Sequence, residues 1–470
     1  MNKQKILSIS IILLLIISLI AAIISSVYYA NQSKTPQDDR TPSEIYTDAA
    51  NKVLQAKDLS LSISTAKNTT RGEDVYIETS NQTLLYNNIG KENMLSHSRQ
   101  TKSYGDYQIT MQTAFKNNTA FYYITGGTFR CPSTPKEYVS DNLPAVLLNA
   151  SLYKKIEMET GDVTTTITFS QPEAAESWAL PKGGKLTKAS GTAKLHNNGL
   201  LQTVYEINYQ IGGTDVMEIF RVDANTAKPT ITLPDTKEYL PIENIDTLLL
   251  LEQSVGYLHQ ANKVTATTKQ SIESEVTGHS WTQNSTLNFY DDKATCSVRQ
   301  DITTQVIDSG AADASTKKSQ SIIFTDGKYK TIVDGGDAVY QDGVTDDSMR
   351  TYCRDTLVST ILMSKYITSV AEKETDATIQ LTFTANEDMA STMCQNAWQI
   401  LFGNPDYIGD LDTAAMTGYI YIDKETLLPV ASGVSYDGTY DKNGHKYHLK
   451  FNAEQEYTIP SETAYQAIHE

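Results

Sequence analysis

Residues Tyr138–Leu148 read YVSDNLPAVLL, and residues Tyr352–Leu362, 214 positions later, read YCRDTLVSTIL. Tyr, Asp and Leu recur at matched places, and Ile361 stands where Leu147 stood. The match extends in both directions. Upstream, YYITGG ending at Gly127 faces KTIVDGG ending at Gly336. Downstream, the segment from Thr164 faces the one from Ala377, with Phe169 opposite Phe383, and the segment from Gly191 faces the one from Gly418. The spacing between copies grows steadily along the chain. Two copies with small loop insertions behave this way, whereas chance similarity scatters. The expectation is a tandem duplication, with repeats over residues 41–238 and 239–470.

Each repeat opens with a helix. TPSE at Thr41–Glu44 is a capping box with Pro at the first helical position, and Ile45, Ala49 and Val53 share one face. The second copy starts at Asp246, with Leu248, Leu251, Val255 and Leu258 on one stripe. Strands follow. LSLSIST from Leu59, YQITMQTAF from Tyr107, YEINYQI from Tyr205, IQLTF from Ile379 and YHLKF from Tyr447 alternate with period two. That pattern marks antiparallel strands with one dry and one wet face. Leu143, Leu147 and Leu148 in the first copy, and Leu357, Ile361 and Leu362 in the second, fall at helical spacing. Further short helices are expected near Pro172 and after Asn386, the latter with Met389, Met393 and Ile400 on one face. The fold class expected is α+β: two tandem units, each a curved antiparallel sheet covered by helices.

This order of elements resembles the LolA-like and LppX-like lipoprotein carriers, half-barrels in which a curved sheet is closed on its concave side by a helical lid. The resemblance implies an apolar ligand between lid and sheet. It makes Leu143, Leu147, Leu148, Leu357, Ile361 and Leu362 the candidate cavity lining. A solid core built from the same residues is the competing expectation. The chain differs from that family in being a tandem and in lacking any cysteine before Cys131 for lipid attachment.

The N-terminus carries Lys3 and Lys5 and then an uncharged run from Ile6 to Val27. A helix of that length spans roughly 33 Å, enough for a bilayer core. Residues 1–5 are expected as a cytoplasmic tail, 6–27 as a transmembrane signal anchor, and 28–40 as a linker. The positive-inside rule then places the remainder outside a cell membrane crossed once. A cleaved signal peptide is the competing reading of the same run. Membrane, lipid and an envelope protein are the partners this implies.

The chain has 39 Lys+Arg against 56 Asp+Glu, a net charge of −17. A surface this acidic repels phosphate backbones, so nucleic acid is not an expected partner. Of the four cysteines, Cys353 and Cys394 are the preferred disulfide, because Val139 and Leu180 hold the matching places in the first copy. Free buried thiols are the alternative. No cysteine has CxxC spacing, so no zinc site is expected.

Catalytic motifs are absent. There is no GxSxG, HExxH, Walker A or GxGxxG. Ser133–Lys136 fits SxxK and Ser140–Asn142 reads SDN, as in serine acyl-enzymes. The two lie too close together, no K-[ST]-G follows, and Arg354 replaces Ser140 in the other copy. The seven histidines are scattered. One acidic run, DGGDAVYQDGVTDD at Asp334–Asp347, offers Asp334, Asp337 and Asp342 as weak calcium candidates, but the first copy has no acid there. A non-enzymatic protein without cofactors is expected. It either binds an apolar molecule or an envelope partner, or serves as a structural or adhesive module with solid cores.

Overall fold

A computed structural model describes residues 40–458, apart from 72–73, 144–146, 175–176, 179, 181–183, 212–213, 244, 275–278, 293, 309–314, 393–395, 397–415, 425 and 443–444. The chain divides into two compact units, one ending at Pro241 and the next beginning at Ile242.

In the first unit, α1 (Pro42–Leu54) starts at the capping box. The Glu44 amide donates to Thr41 Oγ1 (3.3 Å), and the Thr41 amide donates to Glu44 Oε2 (2.7 Å). Tyr46, Ala50 and Val53, one helical stripe, are buried. Six strands follow: β1 (Leu59–Arg71), β2 (Asp74–Asn87), β3 (Leu95–Tyr104), β4 (Tyr107–Lys116), β5 (Thr119–Ile124) and β6 (Gly127–Pro132). Helix α2 (Pro135–Asn142) leads to β7 (Tyr153–Thr160), β8 (Thr164–Pro172), β9 (Lys185–His196), β10 (Leu201–Ile211), β11 (Thr214–Asn225) and the short β12 (Leu240–Pro241). The sheet order is β12-β6-β5-β4-β3-β2-β1-β11-β10-β9-β8-β7. The first strand pairs with β11, so the first and last long strands lie together in the middle. Every pairing is antiparallel except the two-residue join of β12 to β6.

The second unit opens with α3 (Asp246–Gln260) and then has β13 (Lys263–Ser274), β14 (His279–Asp291), β15 (Cys296–Asp308), β16 (Ser315–Thr325), β17 (Lys328–Val333) and β18 (Val339–Gln341). Helix α4 (Asp346–Leu357) precedes β19 (Ile367–Glu374), β20 (Thr378–Ala385), β21 (Met416–Asp423), β22 (Pro429–Lys442) and β23 (His445–Thr458). Its order, β18-β17-β16-β15-β14-β13-β23-β22-β21-β20-β19, is the first unit's order repeated without the short twelfth strand.

The α+β expectation is corrected by these sheets of 12 and 11 strands. The chain is mostly β, and the helices do not cover the sheets. A 13-residue helix is about 20 Å long and about 10 Å across, whereas 12 strands at about 4.8 Å spacing are roughly 55 Å wide. The spacing of the Leu residues also misled. Helix α2 ends at Asn142 and α4 at Leu357, so Leu147, Leu148, Ile361 and Leu362 lie beyond the helices. Pro172 is the last residue of β8. Residues 387–392 are helical, while Met393 and Ile400 lie outside the described residues.

The membrane expectations are also corrected. Among the described residues no helix is long and apolar enough to cross a membrane. The longest, α3, has 15 residues and includes Glu252, and a helix of that length reaches only about 22 Å. Strands are not tested by this statement. The run at 6–27 lies outside the described residues. The transmembrane signal anchor, the membrane partner and the single-pass location derived from it have no structural support.

Candidate functional site

In each unit the segment after the second helix packs on the sheet through one leucine and one glycine. In the first unit Leu148 is 5% exposed, and its Cδ1 sits over Gly191 of β9 so closely that a Cβ there would overlap it. In the second, Leu362 is 1% exposed and sits over Gly418 of β21, with its Cδ1 2.8 Å from where a Cβ would be. Tyr46 of α1 fixes the first contact from above. Its hydroxyl donates to the Leu148 carbonyl (2.6 Å), and its ring meets Phe169 edge-on at 5.0 Å. In the second unit the Tyr457 hydroxyl donates to the Leu357 carbonyl (2.8 Å) and pairs with Ser432 Oγ (2.8 Å). Thr360 joins Ser432 (2.6 Å) and donates to Gln455 Oε1 (3.1 Å). This buried network satisfies carbonyls that the end of α4 leaves open. Burial pushes the Tyr457 hydroxyl up to about 12, so it acts as a neutral donor.

The six candidate cavity residues therefore all lie near the helix–sheet contact. Leu148, Leu357, Ile361 and Leu362 are buried, with Ile361 at 7%, while Leu143 and Leu147 are half-buried. Leu148 and Leu362 occupy the space above the two glycines.

The matched glycines also give a common frame for comparing the faces that carry the helices. The row through Gly191 runs Phe169–Gly191–Tyr205–Phe220–Thr65–Ser80. The row through Gly418 runs Phe383–Gly418–Val434–Ala453–Gln270–Gln283. One step along the same face, the units part company. The first has Ile207–Glu218–Lys67–Glu78–Tyr104, and the second has Tyr436–Phe451–Ile272–Trp281–Val306. A lysine flanked by two glutamates stands where the other unit has an isoleucine flanked by Phe and Trp. Lys67 Nζ lies 3.6 Å from Glu218 Oε1, which also accepts from the Tyr209 hydroxyl (2.9 Å). In the second unit Ile272, Trp281, Phe451 and Tyr436 are all buried. Sequence periodicity does not reveal this difference, because it depends on which distant strands pair.

A second set of functional-looking groups has a structural use. Asp291, at the end of β14 and 2% exposed, receives Arg350 Nε at 3.0 Å and lies 3.5 Å from Arg354 Nη2, both on α4. Cys296 donates its amide to Asp346 Oδ1 (2.6 Å) and its thiol to the Asp346 carbonyl (3.5 Å). Burial, with Asp346 nearby, pushes the Cys296 thiol up to about 12, and burial pushes Cys353 up as well. Thiols this hard to ionise are poor nucleophiles. Cys353 carries a free thiol, and Cys394 lies outside the described residues.

The acidic run is divided among separate tasks. Asp334 Oδ1 accepts from the Ser319 amide (2.7 Å), Asp346 holds Cys296, and Asp347 holds Arg350 (2.7 Å). Asp337 and Asp342 are exposed. Among the described residues no group of three or more His, Cys, Asp or Glu side chains is placed to hold a metal. Ser133 of the SxxK match precedes Thr134, which caps α2 in a box with Glu137.

Two open grooves lie on the faces opposite the helices. One, of about 460 Å³, runs along β19–β21 between Tyr419, Tyr421 and the threonines Thr382 and Thr384. The other, of about 560 Å³, lies over β2–β4 of the first unit. The chain after β11 forms its wall through Thr230, Thr232, Leu233 and Pro234. That segment is held down along its path. The Asn87 side-chain amide donates to the Pro229 carbonyl (3.2 Å), and Tyr239 meets the Phe121 ring edge-on at 5.7 Å.

No protein-family model and no curated protein matches the chain. Among solved structures, it is similar to a protein assigned as an AttH from Nitrosomonas europaea. Identity is 8%, coverage is 90% of this chain and 98% of that one, and the TM-score is 0.15. Kievitone hydratase from Nectria haematococca matches at 8% identity over 85% of this chain and 89% of the other, with a TM-score of 0.12. OccK11 (OpdR) from Pseudomonas aeruginosa matches at 8% identity over 85% and 95%, also at 0.12. Superpositions this poor carry no argument about fold or function.

Proposed function

We propose that the chain is a non-enzymatic β module of two filled units, working through its strand-built surfaces instead of enclosing a small apolar molecule. The observation behind this reading is the pair of contacts Leu148–Gly191 and Leu362–Gly418. A carrier would keep open the space between the post-helix segment and the sheet, yet here a leucine side chain occupies it in both units. The buried thiols, the divided acidic run and the lack of a catalytic motif support the absence of an enzymatic role. Native mass spectrometry of the purified full chain tests the reading. The expected spectrum shows the bare chain mass, and a co-purified apolar molecule overturns it.

A second reading has one observation in its favour. The sequence of helix, six strands, helix and five strands occurs twice with one strand order, and that element order is what resembles the LolA-like and LppX-like carriers. Under this reading the apolar row Trp281–Ile272–Phe451 belongs to a ligand path. Trp281→Ala then abolishes uptake of an uncharged apolar fluorescent dye without unfolding the chain. Under the first reading no uptake exists to abolish.

A further inference from the structure

We propose that the groove over Arg99 in the first unit binds a carboxylate carried on a short apolar body. Arg99, on β3, makes no ion pair among the described residues, although the chain carries a net charge of −17. Around it stand neutral polar groups able to donate: the hydroxyls of Thr83, Thr230 and Thr232, the amide of Gln112, and His97 two residues along the strand. No carboxylate lines the groove. Thr83, Arg99 and Gln112 form one row across β2, β3 and β4, so they reach the same point.

Asp223, two strands beyond Thr83, accepts from Gln202 (3.1 Å), and Asp235 on the crossing segment lies 3.9 Å from Lys237. His97 Nε2 is buried without a hydrogen-bond partner. An anion beside Arg99 gives the guanidinium the charged partner it lacks. The remaining walls are Leu85, Leu233 and Pro234, which suit a hydrocarbon and give an inorganic anion nothing. A planar guanidinium matches a carboxylate through paired hydrogen bonds. About 560 Å³ falls within the range of small-ligand sites, roughly 300–1,000 Å³.

The alkyl carboxylate has two sources, a free organic acid or the C-terminus of a peptide ending in an apolar residue. The test is calorimetric titration of the full chain with hexanoate, N-acetylleucine, hexan-1-ol and inorganic phosphate. Saturable one-site binding of hexanoate or N-acetylleucine is expected, and the tighter of the two identifies the source. Arg99→Gln is expected to weaken it by about tenfold or more, the worth of a lost charged hydrogen bond. Thr232→Asp, at an exposed position, weakens it by repulsion, while Lys269→Gln in the other unit leaves it unchanged. No binding of either acid overturns the proposal. So does equal affinity for hexan-1-ol or phosphate, or unchanged affinity in Arg99→Gln.

Discussion

Leu148 Cδ1 rests on the bare backbone of Gly191, and the same relationship recurs 214 residues later in the leucine and 227 residues later in the glycine, as Leu362 on Gly418. The two members of each pair come from different elements, so their preservation in both units marks a contact that positions the chain after the second helix.

Alanine at either glycine should be costly for that reason. At Gly191 the added Cβ also meets Tyr205 Cβ at 3.0 Å and the Val204 carbonyl at 3.3 Å, neither of which yields easily. Overpacking of this kind costs about 1–3 kcal/mol. Urea unfolding of Gly191→Ala and Gly418→Ala should show losses in that range, with Gly191→Ala the worse. Adding Leu148→Ala to Gly191→Ala should recover part of the loss, a coupling of about 0.5–3 kcal/mol. Strictly additive losses would mean that the two residues do not touch.

Asp291 is the electrostatic counterpart in the second unit. Replacing it with Asn leaves Arg350 and Arg354 without their shared carboxylate in a site where Asp291 is 2% exposed. Breaking a buried pair by removing one partner costs about 3–5 kcal/mol. Thermal unfolding of Asp291→Asn should fall accordingly, and a change below about 0.5 kcal/mol would place the cluster in solvent.

The thiols of Cys296 and Cys353 should resist alkylation in the folded chain at neutral pH. Burial holds Cys296 at about 12 and raises Cys353 too, and only the thiolate reacts. Iodoacetamide followed by peptide mapping should label both only after denaturation. Rapid labelling of native Cys353 would contradict the packing of α4.

His97 gives the first unit a pH signature. Burial, then Arg99, holds its imidazole below the ordinary 6.5, and a Gln112 hydrogen bond opposes them in part. The unfolded chain takes up a proton that the folded chain resists. Stability from this residue is therefore full above pH 6.5 and falls as pH drops through that range toward the depressed folded-state value. The difference between wild-type and His97→Gln unfolding curves should shrink as the pH is lowered from 8 to 5. A difference independent of pH would show that His97 is not shielded.

Much of this architecture was legible in local chemistry. The Thr41–Glu44 box set the start of α1 because both of its hydrogen bonds lie within four residues. Leu59, Leu61 and Ile63 announced β1 by alternation, and all three are buried. Comparing Tyr138–Leu148 with Tyr352–Leu362 disclosed the repeat. The same stretches misled about helix length, since apolar residues four and five apart suit a helix and equally a helix end followed by an extended tail. Gly191 and Gly418 were in view only as the first residues of matched segments. Their role depends on a leucine more than 40 residues earlier folding back over them. The row Glu78–Lys67–Glu218 was invisible for the same reason, because β1 and β11 are paired across nearly the whole first unit.

Whether the space above Gly191 and Gly418 is filled separates a packed module from a carrier. Titrating the full chain with an uncharged apolar fluorescent dye, which lacks the carboxylate that the Arg99 groove takes, measures this. No saturable signal is expected in the wild type, and in Leu148→Trp a loss of stability with no change in signal. A saturable signal in the wild type that Leu148→Trp removes while the chain stays folded would contradict a filled space there.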